Sequence, residues 1–206
     1  MHPGDVVETY SGIFCVYVAE MNPEWDEQTL ARLCSEDNIM AEEELYRRYA
    51  AKVMTLVRRY SSNPDDAKDL MQETLIKAFD RISTYKYTGS GSLYAWIRRI
   101  AINMAVNDIK RRRWRTVHMD FWTRDNIPEP AAEEVGRIPQ EKLLEWISML
   151  PDVRRAVFNL YCIDGFSHKE IGHMLGISEK GSAGMLAKAR KQLKENINAY
   201  LKETGQ

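Results

Sequence analysis

Ser167-His168-Lys169-Glu170-Ile171-Gly172-His173-Met174-Leu175-Gly176-Ile177-Ser178-Glu179 is the stretch whose reading decides the fold. Ser167 followed three residues later by Glu170 is a capping box, in which hydroxyl and carboxylate each satisfy an orphan amide of the first turn. A short helix to Leu175 follows. Gly176-Ile177-Ser178 then makes a tight turn with a new cap at Ser178, and a longer helix runs from Glu179 to about Lys202. Two helices joined by a short turn containing Gly form a helix-turn-helix. Ile171, Leu175, Ile177, Leu186 and Leu193 supply its small core. An ordinary helical hairpin with a solvated face shares this periodicity, but here the cap, the turn and a run of cations coincide.

The second helix of such a motif enters a DNA major groove with its first residues toward base edges. Lys180, Lys188, Arg190, Lys191 and Lys194 supply cations for phosphates. His168 reads as a groove-facing polar residue and His173 as a packed one. The two are five apart, the wrong spacing for metal ligands on one helix face.

Working back along the chain, Pro139 opens a helix through Met149, and Leu150-Pro151-Asp152 restarts one through Ile163. Residues 116–138 hold two prolines, five acids and no sustained period, as an interdomain linker would. Upstream lies a helix from about Leu93 to Trp114, with Trp96, Ile97, Ile100, Ala101 and Met104 as its core face. Arg99, Asn103, Asn107 and Lys110 follow at steps of four, four and three and share one stripe. Asn side chains can bond base edges bidentately. The helix ends in Lys110-Arg111-Arg112-Arg113-Trp114-Arg115. A basic run also suits a helix C-terminus through its dipole. The preceding loop favours nucleic acid: Tyr85, Lys86, Tyr87, Ser90, Ser92 and nearby Trp96 combine stacking surfaces, hydroxyls and a cation, which suit unstacked bases.

Asn63-Pro64-Asp65-Asp66 starts a helix of about 64–84 that buries Ala67, Leu70, Met71, Leu75, Ala78 and Ile82. Its other side shows Asp69, Gln72, Glu73 and Lys77, either a solvated face or a docking surface for a protein. A helix of about 39–60 precedes it, with Leu45, Tyr49, Val53, Leu56 and Val57 at helical spacing. Asp26 caps a shorter helix before that. Residues 1–25 form an extension with no assigned role, and Met21 would serve as an alternative start. The expected fold is all-α: a helical unit over 26–115, the linker, and a helix-turn-helix unit over 139–206.

The 206 residues carry a net charge of −1, which hides a pattern. Residues 1–45 sum to −10, 46–115 to +10, 116–152 to −5 and 153–206 to +4. Two basic blocks separated by acidic ones point to a polyanion partner. The apolar run Ile13–Ala19 is too short to span a bilayer. Acids stand where a secretion signal needs a basic flank. Cys15, Cys34 and Cys162 form neither a disulfide framework nor a zinc knuckle. These features lead to the expectation of a cytoplasmic protein without membrane insertion, metal or cofactor. No catalytic motif appears.

The run from Asp65 to Phe79, Asp-Asp-Ala-Lys-Asp-Leu-Met-Gln-Glu-Thr-Leu-Ile-Lys-Ala-Phe, resembles the region-two helix of bacterial RNA polymerase sigma factors. Tyr94-Ala95-Trp96-Ile97-Arg98-Arg99-Ile100-Ala101-Ile102-Asn103 with the arginine cluster resembles the next part of that domain. Leu150 to Leu193 resembles region four, best at Phe166–Gly172. The two-domain length is similar to the extracytoplasmic-function group.

The resemblance implies that Asp66, Asp69, Gln72, Glu73 and Lys77 dock on the large clamp subunit of core RNA polymerase. It implies that Tyr85, Lys86, Tyr87, Ser90, Ser92, Trp96, Arg99, Asn103, Asn107, Lys110, Arg111, Arg112 and Arg113 hold single-stranded promoter DNA of the minus-ten element. Ser167, His168, Lys169, Ser178, Lys180, Ser182, Ala183, Met185, Lys188 and Arg190 would meet the minus-thirty-five duplex. An anti-sigma factor is a further partner that the family implies, and no enzyme activity is. One departure stands out. Lys180-Gly181-Ser182-Ala183-Gly184-Met185 replaces the family's usual Gly-Thr and basic or polar run, and each mid-helix Gly costs about 1 kcal/mol against Ala. A free-standing helix-turn-helix regulator of duplex DNA is the alternative, and it leaves the Asp69–Lys77 face and the aromatic loop without a use.

Overall fold

The computed structural model describes residues 25–113, 136 and 138–204. The expected amino-terminal extension up to residue 24, Cys15, Trp114, Arg115 and the expected linker apart from Gly136 and Ile138 lie outside the described residues. Within them every regular element is helical. Asp26 caps α1 (Glu27–Cys34) by accepting from the Thr29 amide at 2.7 Å. Glu36-Asp37-Asn38 breaks the chain, with Asp37 at φ 57°. Asn38 then caps α2 (Ile39–Arg58) through the Ala41 amide. Asn63 caps α3 (Pro64–Arg81), which starts on proline, where the missing N–H is not needed. A short 3₁₀ turn over Ile82–Thr84 leads into the loop before α4 (Ser92–Arg113).

The second half holds α5 (Gln140–Ser148) and α6 (Asp152–Phe158), the latter widening into a π-helical turn over Asn159–Ile163. The helix-turn-helix follows as α7 (His168–Leu175) and α8 (Glu179–Glu203). The capping box is formed in full, with both reciprocal bonds between Ser167 and Glu170.

Helices α1 to α4 pack as one bundle and α6 to α8 as another, with α5 leaning on α8. The positions read as core in α2 and α3 are all buried. The reading of α4 needs correction. Of Trp96, Ile97, Ile100, Ala101 and Met104, only Ile97 and Ala101 are fully buried, while the helix also buries Leu93, Ile102, Ala105, Val106 and Ile109. The reason is tertiary: α4 packs on α2 and α3 on one side and on α6 and α7 on the other. A helix covered from two sides has no single apolar stripe to find in the sequence. Leu193 is a second correction. It leaves the helix-turn-helix core and packs in a separate small cluster with Ile138, Trp146 and Leu201.

Candidate nucleic-acid interface

Residues three and four apart on a helix share a face, and α3 uses this twice. Its inner positions enter the core, while Asp69, Gln72, Glu73 and Lys77 all stand exposed on the other side. Ile76 lies among them at 60% exposure. A large apolar side chain at the centre of a charged face is what a protein partner buries. The sequence reading missed it because an isolated Ile within a core-rich helix passes for a core position. Asp66 is partly engaged inside the chain, accepting from Arg112 Nη1 at 3.0 Å.

The loop before α4 is closed by its own side chains. The Tyr85 hydroxyl and Ser92 Oγ are 2.6 Å apart, and Ser92 Oγ donates to the Gly89 carbonyl. The rings of Tyr85 and Trp96 meet at 5.7 Å. Tyr85, Ser92 and Trp96 therefore shape the loop, whereas Lys86, Tyr87 and Ser90 face outward. Along α4, Arg99, Asn103 and Asn107 are exposed in line, with Lys110 half-buried at the end of the stripe. The arginine cluster divides. Arg111 pairs with Asp108 at 2.9 Å. Arg112 pairs with Asp66 and Asp108 and lies 3.8 Å from Asp152. The side chain of Arg113 lies outside the described residues.

In the helix-turn-helix, Gly172 and Gly176 make the turn possible. A Cβ on Gly172 would meet the Ile177 carbonyl at 2.8 Å. Gly176 caps α7 at φ 66°, the left-handed region that glycine enters without cost. Ser178 caps α8 through the Gly181 amide at 2.9 Å. A Cβ on Gly181 would lie 3.0 Å from that same hydroxyl, so glycine relieves the cap; nothing in the structure explains Gly184.

Two expected contacts of α8 are corrected here. Ser182 is fully buried and its Oγ lies 3.0 Å from His168 Nδ1. Met185 is half-buried and packs on the core. Both point inward because α7 crosses that side of α8. The outward positions of the first turns are Glu179, Lys180, Ala183, Ala187 and Arg190. Ala187 escaped the sequence reading because a single Ala carries no polar signal. His168 stacks on Tyr161 at 4.4 Å, and the Arg190 guanidinium lies 5.9 Å from that same ring.

Residues 45–115 match the family description Sigma-70 region 2, and residues 140–193 match Sigma-70, region 4. These two spans hold α3, the loop, α4 and the helix-turn-helix. The chain belongs to the sigma-70 family, in its extracytoplasmic-function group. This sigma factor is 31% identical over 172 residues to the ECF RNA polymerase sigma factor SigE of Mycolicibacterium smegmatis, covering 80% of this chain and 64% of that one. It is 24% identical to the ECF RNA polymerase sigma factor SigM of Bacillus subtilis, covering 77% of this chain and 96% of that one. The RNA polymerase sigma-H factor of Pseudomonas aeruginosa matches at 24% identity over 89% of this chain and 99% of its own. A solved structure of the sigma factor RpoE of Bartonella quintana, in complex with the anti-sigma factor NepR, is 20% identical over 74% of this chain and 94% of that one, with a TM-score of 0.46.

Proposed function

We propose that this sigma factor divides its work among three surfaces. The α3 face with Asp69, Gln72, Glu73, Lys77 and the exposed Ile76 docks on the clamp subunit of core RNA polymerase, with Asp66 at its edge. The loop residues Lys86, Tyr87 and Ser90 and the α4 stripe Arg99, Asn103, Asn107 and Lys110 hold the displaced strand of the minus-ten element. Tyr85, Ser92 and Trp96 shape that loop. Bases caught outside the stack offset an unstacking cost of a few kcal/mol per step. The exposed side of α8, from Lys180 to Arg190, meets the minus-thirty-five duplex, with phosphate contacts from its cations. The acidic linker joins the two reading units.

The observation that supports this division is the exposed line Arg99–Asn103–Asn107 on a helix otherwise covered from two sides. Three polar side chains kept in solvent on such a helix are available for a ligand. The chain carries no catalytic group in this reading. The polymerase performs the chemistry, and the protein works with it in the cytoplasm. Among the described residues, no helix is long and apolar enough to cross a membrane. An anti-sigma factor is a further partner, expected from the family alone.

Run-off transcription with the cognate core enzyme tests the assignment. The wild-type chain directs initiation from specific promoters. A variant carrying Asp69→Ala, Glu73→Ala and Ile76→Ala retains its helical content and loses at least tenfold in core affinity. Promoter-specific binding by the chain alone, with no effect on the core enzyme, would support a free-standing regulator instead.

A further inference from the structure

After Phe158 the helix begun as α6 widens into a single π turn, closed by the Asp164 amide donating to the Asn159 carbonyl at 2.9 Å. Such a turn takes in one residue more than α geometry and recurs at functional sites. Here both of its ends are anchored to the first bundle. Asn159 is buried, and its Nδ2 donates to the Arg59 carbonyl at 2.6 Å. The buried Asp164 carboxylate accepts from Arg98 Nη2 at 2.7 Å and from Arg59 Nη2 at 3.3 Å. Between these anchors Tyr161, Cys162 and Ile163 all face solvent.

The Tyr161 ring is nevertheless engaged. His168, the first residue of α7, stacks on it with the planes 17° apart. That imidazole is held in turn from α8, with Nδ1 lying 3.0 Å from the buried Ser182 Oγ. The Arg190 guanidinium, also on α8, lies 5.9 Å from the centre of the Tyr161 ring, within reach of a cation–π contact. Arg190 Nη2 donates as well to Cys162 Sγ at 3.7 Å. Among the described residues no carboxylate pairs with Arg190. The contacts thus run from Ser182 through His168 and Tyr161 and return to the same helix at Arg190, about 12 Å further along its axis.

We infer that Tyr161 is a positioning residue for promoter binding: its ring, fixed by His168, orders the Arg190 guanidinium before duplex DNA arrives, so that a backbone phosphate meets a cation already in place. The inference rests on the functional reading above, in which Arg190 contacts phosphate. A free arginine side chain loses its rotamer freedom when it grips a ligand, and ordering it beforehand removes that loss from the binding step. A ring suits this task. It holds the cation through a π face and leaves the N–H groups of the planar fork for a phosphate. A carboxylate would also order the guanidinium, but through a strong charge-assisted bond that DNA would have to break. The Cys162 thiol is a weak acceptor, which a phosphate oxygen replaces at little cost.

Promoter binding by the holoenzyme tests this, using Tyr161→Phe, Tyr161→Leu, Arg190→Ala and the double variant Tyr161→Leu with Arg190→Ala. All four are expected to keep their helical circular dichroism, because both positions are exposed. Tyr161→Phe retains the ring and binds as the wild type does. Tyr161→Leu binds about two- to fivefold more weakly, by the same factor on every promoter sequence. On the Arg190→Ala background it causes no further loss, since the residue it positions is gone. A mere support of the fold would instead lose helical content, or lose the same affinity on both backgrounds, and either result overturns the inference. So does wild-type binding by Tyr161→Leu while Arg190→Ala is impaired, or a loss in Tyr161→Phe equal to that in Tyr161→Leu. Wild-type binding by Arg190→Ala is a separate failure: it strikes the phosphate contact from the functional reading itself, and the inference falls with it.

Discussion

Glu27 Oε2 accepts the backbone amide of Leu93 at 3.1 Å, while its Oε1 accepts the Tyr49 hydroxyl at 3.1 Å. One side chain of α1 thus satisfies an orphan amide at the start of α4 and ties both to α2. A carboxylate at a helix N-terminus is also favoured by the dipole. Burial, with the nearby Glu27 carboxylate, pushes the Tyr49 hydroxyl above the ordinary tyrosine range. Glu27→Ala therefore removes two hydrogen bonds and is expected to lower stability by about 1–3 kcal/mol. Urea unfolding followed by circular dichroism checks this, and a midpoint equal to wild type would refute it.

Ser182 distinguishes a reader from a support. Its hydroxyl is spent on His168 within the fold. Ser182→Ala is expected to lower stability by about 1 kcal/mol and to leave the preferred promoter sequence unchanged. In vitro selection of bound duplexes with the holoenzyme measures that preference. An altered base at any position would mean that Ser182 reaches the groove after all.

Lys188 and Arg190 are assigned to phosphates. Replacing either with Ala should weaken binding to all promoters alike and reduce the slope of log affinity against log salt by about 1. An unchanged slope would remove that residue from the phosphate contacts.

Glu44 gives a pH dependence whose sign follows from its surroundings. Burial pushes its carboxyl up, but hydrogen bonds and charge from Arg48 and Arg47 outweigh burial and hold it below the ordinary glutamate value of 4.5. A carboxyl with a depressed folded value adds stability that is complete above the unfolded value and is lost as pH falls through the folded one. Glu44→Gln should therefore destabilise the protein at neutral pH and flatten the acid limb of its stability curve below about pH 4.5. If wild type and variant lose stability in parallel on acidification, the clamp contributes nothing.

Much of this protein is local and so can be read from its residues. Asp26, Asn38, Asn63, Ser167 and Ser178 each cap the helix that follows, because a cap needs only the amides of the next turn. The apolar faces of α2 and α3 follow from spacing, since each helix has one covered side. The exposed line Asp69–Gln72–Glu73–Lys77 is legible for the same reason, and Arg99–Asn103–Asn107 because polar residues four apart fall on one strip of a helix. What needed the tertiary structure depends on groups far apart in the chain. Nothing local to Asp164 predicts that Arg59 and Arg98 converge on it, and nothing local to Ser182 says that α7 will cover it. Covering α4 from two sides erased the stripe by which its core could have been recognised. Helix identity and capping are set within a few residues, whereas which polar groups lose water is decided only when the two halves of the chain meet.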